Sequence, residues 1–128
     1  MAFKHTFSDR KKIHVNSWTA DRKPRAIVLI AHGMAEHSAR YHEFGNFLSE
    51  NQISVYAHDH RGHGKTAESQ DRLGYCSHQR SWELMVEDIG HLNKYIKQRH
   101  SGLPVFLLGH SMGSLLAVNF AYLWGKQI

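Results

Sequence analysis

The prediction of this fold begins with the stretch VFLLGHSMGS at residues 105–114. Its first four residues are apolar and are bounded by Pro104 and Gly109, which is typical of a short strand buried on both faces in a parallel sheet. After Ser111 the apolar positions have the length and spacing of a mostly buried helix; they are Leu115, Leu116, Val118, Phe120, Tyr122 and Leu123. We therefore expect a strand, a tight turn and a helix, with Ser111 at the turn.

The turn carries the pattern G-x-S-x-G, formed by Gly109, Ser111 and Gly113. Between a strand and a helix this pattern is the nucleophile elbow, in which the serine has a strained backbone conformation. We expect glycines there because the serine side chain would collide with larger neighbours. The start of the following helix offers free N–H groups where an oxyanion would develop. The alternative is a serine that only caps the helix, because serine is a preferred N-cap residue.

Two further stretches predict strands upstream of this turn. PRAIVLIAHGMAEHSARY, residues 24–41, and ISVYAHDHRGHGKT, residues 53–66, each begin with a buried strand and continue into a loop with glycines. Together with the elbow they resemble the monoacylglycerol lipase and lysophospholipase branch of the α/β-hydrolase fold. That family carries H-G-x-x-E-H-S-x-R-Y, D-x-R-G-x-G-x-S and G-H-S-M-G-G in this order. Here Thr66 replaces the serine of the second motif and Ser114 the last glycine of the third.

The resemblance runs from about residue 24 to residue 128 and implies a serine hydrolase that cleaves carboxylic esters. The expected substrate is a small ester or a lipid, and neither a metal nor an organic cofactor is implied. Ser111 would be the nucleophile, and the backbone N–H groups of Met34 and Met112 would form the oxyanion hole.

The same resemblance assigns supporting roles around these three residues. The elbow and the oxyanion loop would be supported by His32, Gly33, Gly109, His110 and Gly113. The loop would be held, and the next helix capped, by Glu36, His37, Arg40 and Tyr41. The scaffold of the loop after the following strand would be formed by Asp59, Arg61 and Gly62.

The acid and the base of a catalytic triad are absent from the expected positions. Elbow hydrolases place an acid and then a histidine after the serine, but residues 112–128 contain no Asp, Glu or His. The substrate-capping insertion of the family is also missing. His32 is expected to hold the loop, and His110 points away from its neighbour, so neither is a good base for Ser111. We expect residues 1–128 to be a partial α/β-hydrolase domain, the N-terminal half of the fold, with strands one to five and the elbow.

A different class of function stays open, namely a catalytically inert hydrolase-fold fragment or a partner-binding module. Two enzyme alternatives are weaker. The sequence GHGKT at residues 62–66 resembles a phosphate-binding loop, but Asp59 stands where that motif needs its first glycine. His58, His60 and His63 suggest a metal site, but their spacing matches no common ligand pattern.

Composition limits the other classes of protein. A chain of 128 residues with 41% hydrophobic residues predicts one compact domain. The net charge of +5 comes without an aromatic-interleaved basic patch, so we expect no nucleic-acid partner, although peripheral contact with a membrane surface stays open. Cys76 is the only cysteine, so an internal disulfide is excluded and a reducing, cytoplasmic location is favoured. The sequence around Cys76 also lacks the signature of a nucleophile. The apolar runs are too short to span a membrane, and the first residues lack a signal-peptide core.

The coarse order of elements follows from periodicity. We expect an N-terminal hairpin, strands at 25–31, 53–58 and 104–109, and helices near 40–50, 80–99 and after Ser111. Asn51 is expected in a left-handed helix end and Ser81 as an N-cap. The buried stripe of the long helix is predicted to contain Trp82, Met85, Val86, Ile89, Leu92 and Ile96. In the resembled fold these strands take the order one, two, four, three, five, and strand six would flank strand five. Because strand six is not among these residues, we expect strand five to be an edge through which the chain self-associates.

Overall fold

The computed structural model describes residues 1–7 and 9–127. In this part of the chain five strands form one sheet: β1 (Ala2–Thr6), β2 (Lys12–Trp18), β3 (Ala26–Ala31), β4 (Ile53–His58) and β5 (Val105–Gly109). The same residues contain three α-helices, α1 (His42–Glu50), α2 (Ser81–Arg99) and α3 (Met112–Trp124). Short 3-10 helices lie at Ser38–Tyr41, Gly64–Thr66, Gln70–Arg72 and Gly125–Gln127. The predicted order of strands and helices is confirmed.

The sheet has the order β1-β2-β4-β3-β5, as predicted. β1 and β2 form an antiparallel hairpin, β2 pairs antiparallel with β4, and β3 pairs parallel with both β4 and β5. Parallel pairing brings the carboxyl ends of β3, β4 and β5 to one edge of the sheet. Ala31 lies opposite Gly109 at the ends of β3 and β5. The loops that follow these two strands therefore start side by side, and the candidate site lies there.

Helices cover both faces of the sheet, which explains why the strands are apolar without alternation. In β3, Ile27 and Leu29 belong to the core shared with α2 and α3, whereas Val28 and Ile30 pack with α1. Successive strand residues point to opposite faces, so each face receives every second side chain. On the α1 face, Gly45 lies so close to the Trp18 indole that a Cβ would come within 2.7 Å of Trp18 Cγ.

The helix ends differ from the prediction in three places. Asn51 has an ordinary backbone conformation (φ −95°), and the left-handed residue is Gln52 (φ 62°). Ser81 is the first helical residue, while the N-cap is Arg80, itself left-handed (φ 56°) and without a side-chain cap bond. Trp82 is exposed rather than part of the buried stripe, because the buried positions of α2 begin one turn later.

β5 and α3 are covered on one side only. Within the described residues β5 pairs with β3 alone, which confirms its predicted edge position, and Phe106 is 58% exposed. In α3 only the side that packs on the sheet and α2 is buried, through Leu116 and Phe120. The prediction of a mostly buried strand and helix is therefore wrong for their outer sides. The exposed apolar residues of α3 are Leu115, Val118, Tyr122 and Leu123.

Studied on its own, a polypeptide of residues 1–128 is expected to dimerise or aggregate through the β5 edge. The physical reason is that an edge strand offers unpaired N–H and C=O groups to another chain, and Phe106 adds exposed apolar surface. Size-exclusion chromatography with light scattering measures the outcome. Phe106→Lys places a charge on the edge and is expected to weaken association by about tenfold or more. Leu115→Lys, on the outer side of α3, is the matched control. A monodisperse wild-type monomer with a sharp thermal transition would contradict this expectation.

Over residues 1–7 and 9–127, none of the helices combines the length and the apolar character that crossing a bilayer requires.

Candidate active site

Ser111 occupies the turn between β5 and α3 in a strained backbone conformation. Its φ is 52° and its ψ is −121°, a combination that L-residues rarely adopt. The turn is closed by the Gly113 N–H, which donates to the His110 carbonyl at 2.8 Å, and by the Ser114 N–H, which donates to the Ser111 carbonyl at 2.9 Å. Ser111 itself is exposed. The strain expected of an elbow serine is therefore present at this residue.

The two elbow glycines are required by backbone packing. A Cβ on Gly109 would come within 2.5 Å of the Gly113 carbonyl oxygen, and a Cβ on Gly113 within 2.6 Å of the His32 carbonyl oxygen. From the sequence, we expect these glycines to make room for the serine side chain. The structure corrects that reason, because the atoms that a Cβ would meet belong to the main chain of α3, of Ala31 at the end of β3 and of His32.

The segment that follows β3 lies directly beside Ser111. The His110 N–H donates to the Ala31 carbonyl at 3.0 Å, which extends the pairing of β3 and β5 into the turn. A Cβ built on Gly33 would lie 3.2 Å from the Ser111 Cβ. Residues 32–36, called the oxyanion loop below, therefore reach the serine, as the resemblance implied.

The oxyanion hole is expected to be formed by the backbone N–H groups of Met34 and Met112. Among the hydrogen bonds of the described residues, none uses the backbone N–H of Met34 or Met112. The Met34 side chain is 70% exposed, and Met112 is partly buried at the start of α3. The structure thus places the sequence-predicted donors in two segments that flank Ser111.

Glu36 anchors the oxyanion loop through three contacts to one carboxylate oxygen. Its Oε1 accepts the Gly33 N–H at 2.5 Å and the Tyr41 hydroxyl at 2.8 Å, and it lies 3.1 Å from His110 Nδ1. Arg40 pairs with the other oxygen at 3.2 Å. Burial raises the pKa of Glu36, but these hydrogen bonds outweigh burial and lower the pKa to about 2. The loop is therefore held by an ionised carboxylate, which agrees with the role expected of Glu36, Arg40 and Tyr41.

The capping role expected of the same segment is wrong. His37 stands at the N-cap of the 3-10 helix and Tyr41 at the N-cap of α1, and neither makes a side-chain cap bond. Tyr41 instead donates its hydroxyl to Glu36. Burial and this hydrogen bond raise the pKa of Tyr41.

The His32 ring uses both nitrogens in other contacts, and the His110 ring directs Nδ1 at Glu36, away from a role as base for Ser111. His110 is exposed and directs Nδ1 at Glu36. His32 is fully buried, its Nδ1 lies 2.7 Å from the Gly33 carbonyl, and its Nε2 accepts the His60 N–H at 3.0 Å. Burial lowers the pKa of His32. These contacts agree with supporting roles for both residues.

The loop after β4 is built on buried ionic contacts. Asp59 accepts the Ser38 N–H at 2.7 Å and the Lys65 N–H at 2.7 Å. Arg61 donates two hydrogen bonds of 2.7 Å to Asp88 of α2 and a third to Asp9. Burial opposes the charge on Arg61, but these bonds outweigh it and raise the pKa of the guanidinium. A scaffold role for Asp59 and Arg61 is expected from the sequence. The partners Asp88 and Asp9 are not, because they lie 27 and 52 residues from Arg61.

Two alternative hypotheses, a histidine metal site and a nucleophilic Cys76, can be compared with the contacts that these side chains make. His60 uses both ring nitrogens, which face His58 Nε2 and the His32 carbonyl, and His63 Nδ1 faces the Arg61 carbonyl. Among the described residues, the buried His58 Nδ1 has no hydrogen-bond partner. Over the described part of the chain, no group of three or more His, Cys, Asp or Glu side chains is arranged to hold a metal ion. Cys76 donates its thiol to the Arg61 carbonyl at 3.1 Å, and burial raises the pKa of the thiol, the opposite of what a nucleophile needs.

Comparisons with known proteins identify the family of this chain. The family model described as serine aminopeptidase, S33, matches residues 22–128. A monoacylglycerol lipase of Mycolicibacterium smegmatis is 40% identical over 111 residues, which are 87% of this chain and 37% of that protein. The human monoglyceride lipase is 33% identical over 111 residues, 87% of this chain and 35% of that protein.

Solved structures agree with this assignment. A crystal structure of a thermostable carboxyl esterase from Bacillus coagulans in complex with glycerol superposes with a TM-score of 0.87 at 34% identity. The superposition covers 100% of this chain and 41% of that one. The chain therefore spans well under half the length of these relatives, and the part it matches is the N-terminal half of the α/β-hydrolase fold.

Proposed function

Because the chain belongs to the S33 serine aminopeptidase family of α/β-hydrolases, we propose that it carries the nucleophile and the oxyanion hole of a serine hydrolase that cleaves carboxylic esters. The observation that supports this most directly is the backbone of Ser111, held at φ 52° and ψ −121° between β5 and α3. A strained, exposed residue of this kind persists only where surrounding structure enforces it. Gly109, Gly113 and the oxyanion loop provide that enforcement here.

In the proposed reaction, Ser111 Oγ attacks the carbonyl carbon of the ester, and its proton passes to a base. The oxyanion that forms accepts hydrogen bonds from the N–H groups of Met34 and Met112, neither of which donates to another of the described residues. Breaking the carbon–oxygen bond releases the alcohol, which takes up the proton and leaves an acyl group on Ser111. Water then attacks the acyl-enzyme and releases the carboxylic acid and the free serine.

The base and its acidic partner are proposed to come from residues outside 1–128. His32, in the oxyanion loop, uses both ring nitrogens in other contacts, and His110, in the elbow, directs Nδ1 at Glu36. After Ser111 the sequence contains no histidine and no carboxylate. We therefore propose that residues 1–128 form a partial domain, and that turnover needs the remainder of the catalytic triad.

The substrate class is proposed from the chain's relatives. The similar proteins are described as a monoacylglycerol lipase and a monoglyceride lipase, and the similar crystal structure is a carboxyl esterase. A monoacylglycerol or a related lipid ester fits this set. The exposed Met34 side chain adds apolar surface beside the proposed oxyanion donor, where an acyl chain would approach.

The test of the nucleophile is labelling with a fluorophosphonate probe in the intact protein that contains these residues. The wild type is expected to be labelled at Ser111, and Ser111→Ala is expected to lose the label and to lower kcat for a monoacylglycerol by about 10⁶-fold. Mass spectrometry of the labelled peptide identifies the modified residue.

Ser101→Ala is the matched control, because Ser101 is exposed in the turn before β5 and lies outside the elbow. It should retain both label and turnover. Label that persists on another serine in Ser111→Ala would overturn the assignment. A wild type with neither label nor ester turnover would favour the second candidate, an inert fragment or a partner-binding module.

A further inference from the structure

Three buried histidines form a continuous contact behind the oxyanion loop. His32 follows β3, His58 ends β4, and His60 lies two residues further along, and all three are fully buried. The rings of His32 and His60 lie 4.1 Å apart between centroids, and those of His58 and His60 lie 4.7 Å apart. A charged imidazolium without a counter-charge is costly in a fully buried position, so these rings are neutral and each carries one ring proton.

The partners determine where each proton lies. His60 Nε2 faces the His32 carbonyl at 3.0 Å and must donate to it, because a carbonyl only accepts. His60 Nδ1 is then an acceptor, so His58 Nε2, at 3.1 Å, donates. His32 Nε2 accepts the His60 N–H, which leaves the proton on His32 Nδ1 to donate to the Gly33 carbonyl at 2.7 Å. The direction of every bond in the chain is therefore set.

The last bond of this series acts on the proposed oxyanion hole. The Gly33 carbonyl and the Met34 N–H belong to one planar, trans peptide unit and point in opposite directions. Holding the carbonyl oxygen on His32 Nδ1 therefore fixes the direction of the Met34 N–H. The preceding peptide unit is held as well, since His60 binds the His32 carbonyl and Glu36 accepts the Gly33 N–H.

We propose that His58, His60 and His32 form a one-way hydrogen-bond chain, the histidine chain, in which His60 is a positioning residue for the Met34 oxyanion donor. This inference rests on the proposed function. His60 clamps His32 by two bonds, one to the ring and one to the main chain. In the other tautomer of His32, Nε2–H would face the His60 N–H and Nδ1 would face the Gly33 carbonyl. Both bonds would be lost, so the His60 backbone N–H selects the tautomer that orients the Met34 N–H. The His60 side chain holds the His32 carbonyl, and this is the bond that substitution at His60 removes.

The variants His60→Leu and His60→Gln distinguish the loss of the hydrogen bonds of His60 from a change in its side-chain volume. Leucine removes the donor to the His32 carbonyl and leaves His58 Nε2–H without an acceptor, whereas glutamine keeps a donor at similar reach. In the intact protein, His60→Leu is expected to lower kcat by about 10–100-fold with KM within about threefold, because an oxyanion contact is made in the transition state. His60→Gln is expected to return kcat to within about fivefold of wild type. His78→Leu, an exposed histidine substitution, is the control without effect.

Long-range ¹⁵N–¹H NMR of the histidine rings tests the same inference without turnover. The wild type should show His32 protonated on Nδ1 and His58 and His60 protonated on Nε2. His32 protonated on Nε2 in the wild type would overturn the proposal, and this measurement decides even where His60→Leu does not fold. A folded His60→Leu with wild-type kcat would overturn it as well. A wild type with the expected tautomers but no Ser111 labelling would refute the proposed function and leave the geometry of the histidine chain supported.

Discussion

Gly113→Ala is expected to lower the free energy of unfolding by about 3–5 kcal/mol, which is a large part of the stability of a typical domain. The added Cβ would lie 2.5 Å from the Ala31 carbonyl carbon and 2.6 Å from the His32 carbonyl oxygen. These neighbours are main-chain atoms of β3 and the oxyanion loop, so no side chain can rotate away to relieve the overlap. Moving α3 away from β3 would relieve it, but that movement would also displace Ser111 at the start of the helix. Urea unfolding followed by circular dichroism measures the change.

Gly125→Ala is the matched control, since it makes the same substitution at the other end of α3. Gly125 has helical dihedral angles (φ −55°, ψ −24°), and a Cβ there meets nothing within 4 Å. It is expected to leave stability unchanged or to raise it by up to about 1 kcal/mol. Equal effects of the two substitutions would show that the close approach of α3 to β3 is not what requires Gly113.

Lowering the pH from about 7 to about 4 is expected to destabilise the fold by roughly 3 kcal/mol through His58 alone. Burial lowers the pKa of His58 from the usual 6.5 to about 3. Between these two values the unfolded chain binds the proton and the folded chain does not. Stability is therefore fully present above pH 6.5 and is lost progressively as the pH falls toward 3. The pKa values of His32 and His60 are also lowered by burial, so both act in the same direction.

Glu36 adds a second loss of folding stability at lower pH. Its pKa is about 2 in the folded chain against 4.5 ordinarily, so its contribution is present above 4.5 and declines as the pH falls toward 2. Urea unfolding at several pH values between about 2 and about 7.5 covers both regions, and above pH 4.5 the slope reports the histidines without Glu36. His58→Gln keeps a donor for His60 but removes the titrating ring, and it is expected to flatten the slope between pH 4.5 and 6.5. A slope identical to that of the wild type would exclude His58 as its source.

The elements of this fold could be predicted from local sequence alone. The apolar runs that contain β3, β4 and β5, the loops that separate them and the long periodic helix each have a pattern that holds over adjacent residues. The elbow was visible for the same reason, because Gly109, Ser111 and Gly113 lie within five positions of one another. The sheet order came from the resemblance rather than from any single stretch, and it is confirmed.

Burial was predicted less well wherever it depends on neighbours. The apolar runs of β5 and α3 indicated burial on all sides, but Phe106 and Val118 are exposed because only one side of each element packs against another part of the described chain. Periodicity reports which residues are apolar and says nothing about which of them receive a partner. The two predicted helix ends are each wrong by one residue, since the left-handed residue is Gln52 rather than Asn51 and the N-cap is Arg80 rather than Ser81.

The sequence by itself thus determined the order of the elements, the elbow and the identity of Ser111 as the candidate nucleophile, all of which depend on residues close together in the chain. The hydrogen bonds that hold the site in place are set only by the tertiary structure. Arg61 meets Asp88 across 27 positions, His60 meets His32 across 28, and His110 meets Glu36 across 74. A hydrogen bond between residues so far apart leaves no local pattern, since it depends on the parallel pairing that brings the ends of β3, β4 and β5 to one edge of the sheet.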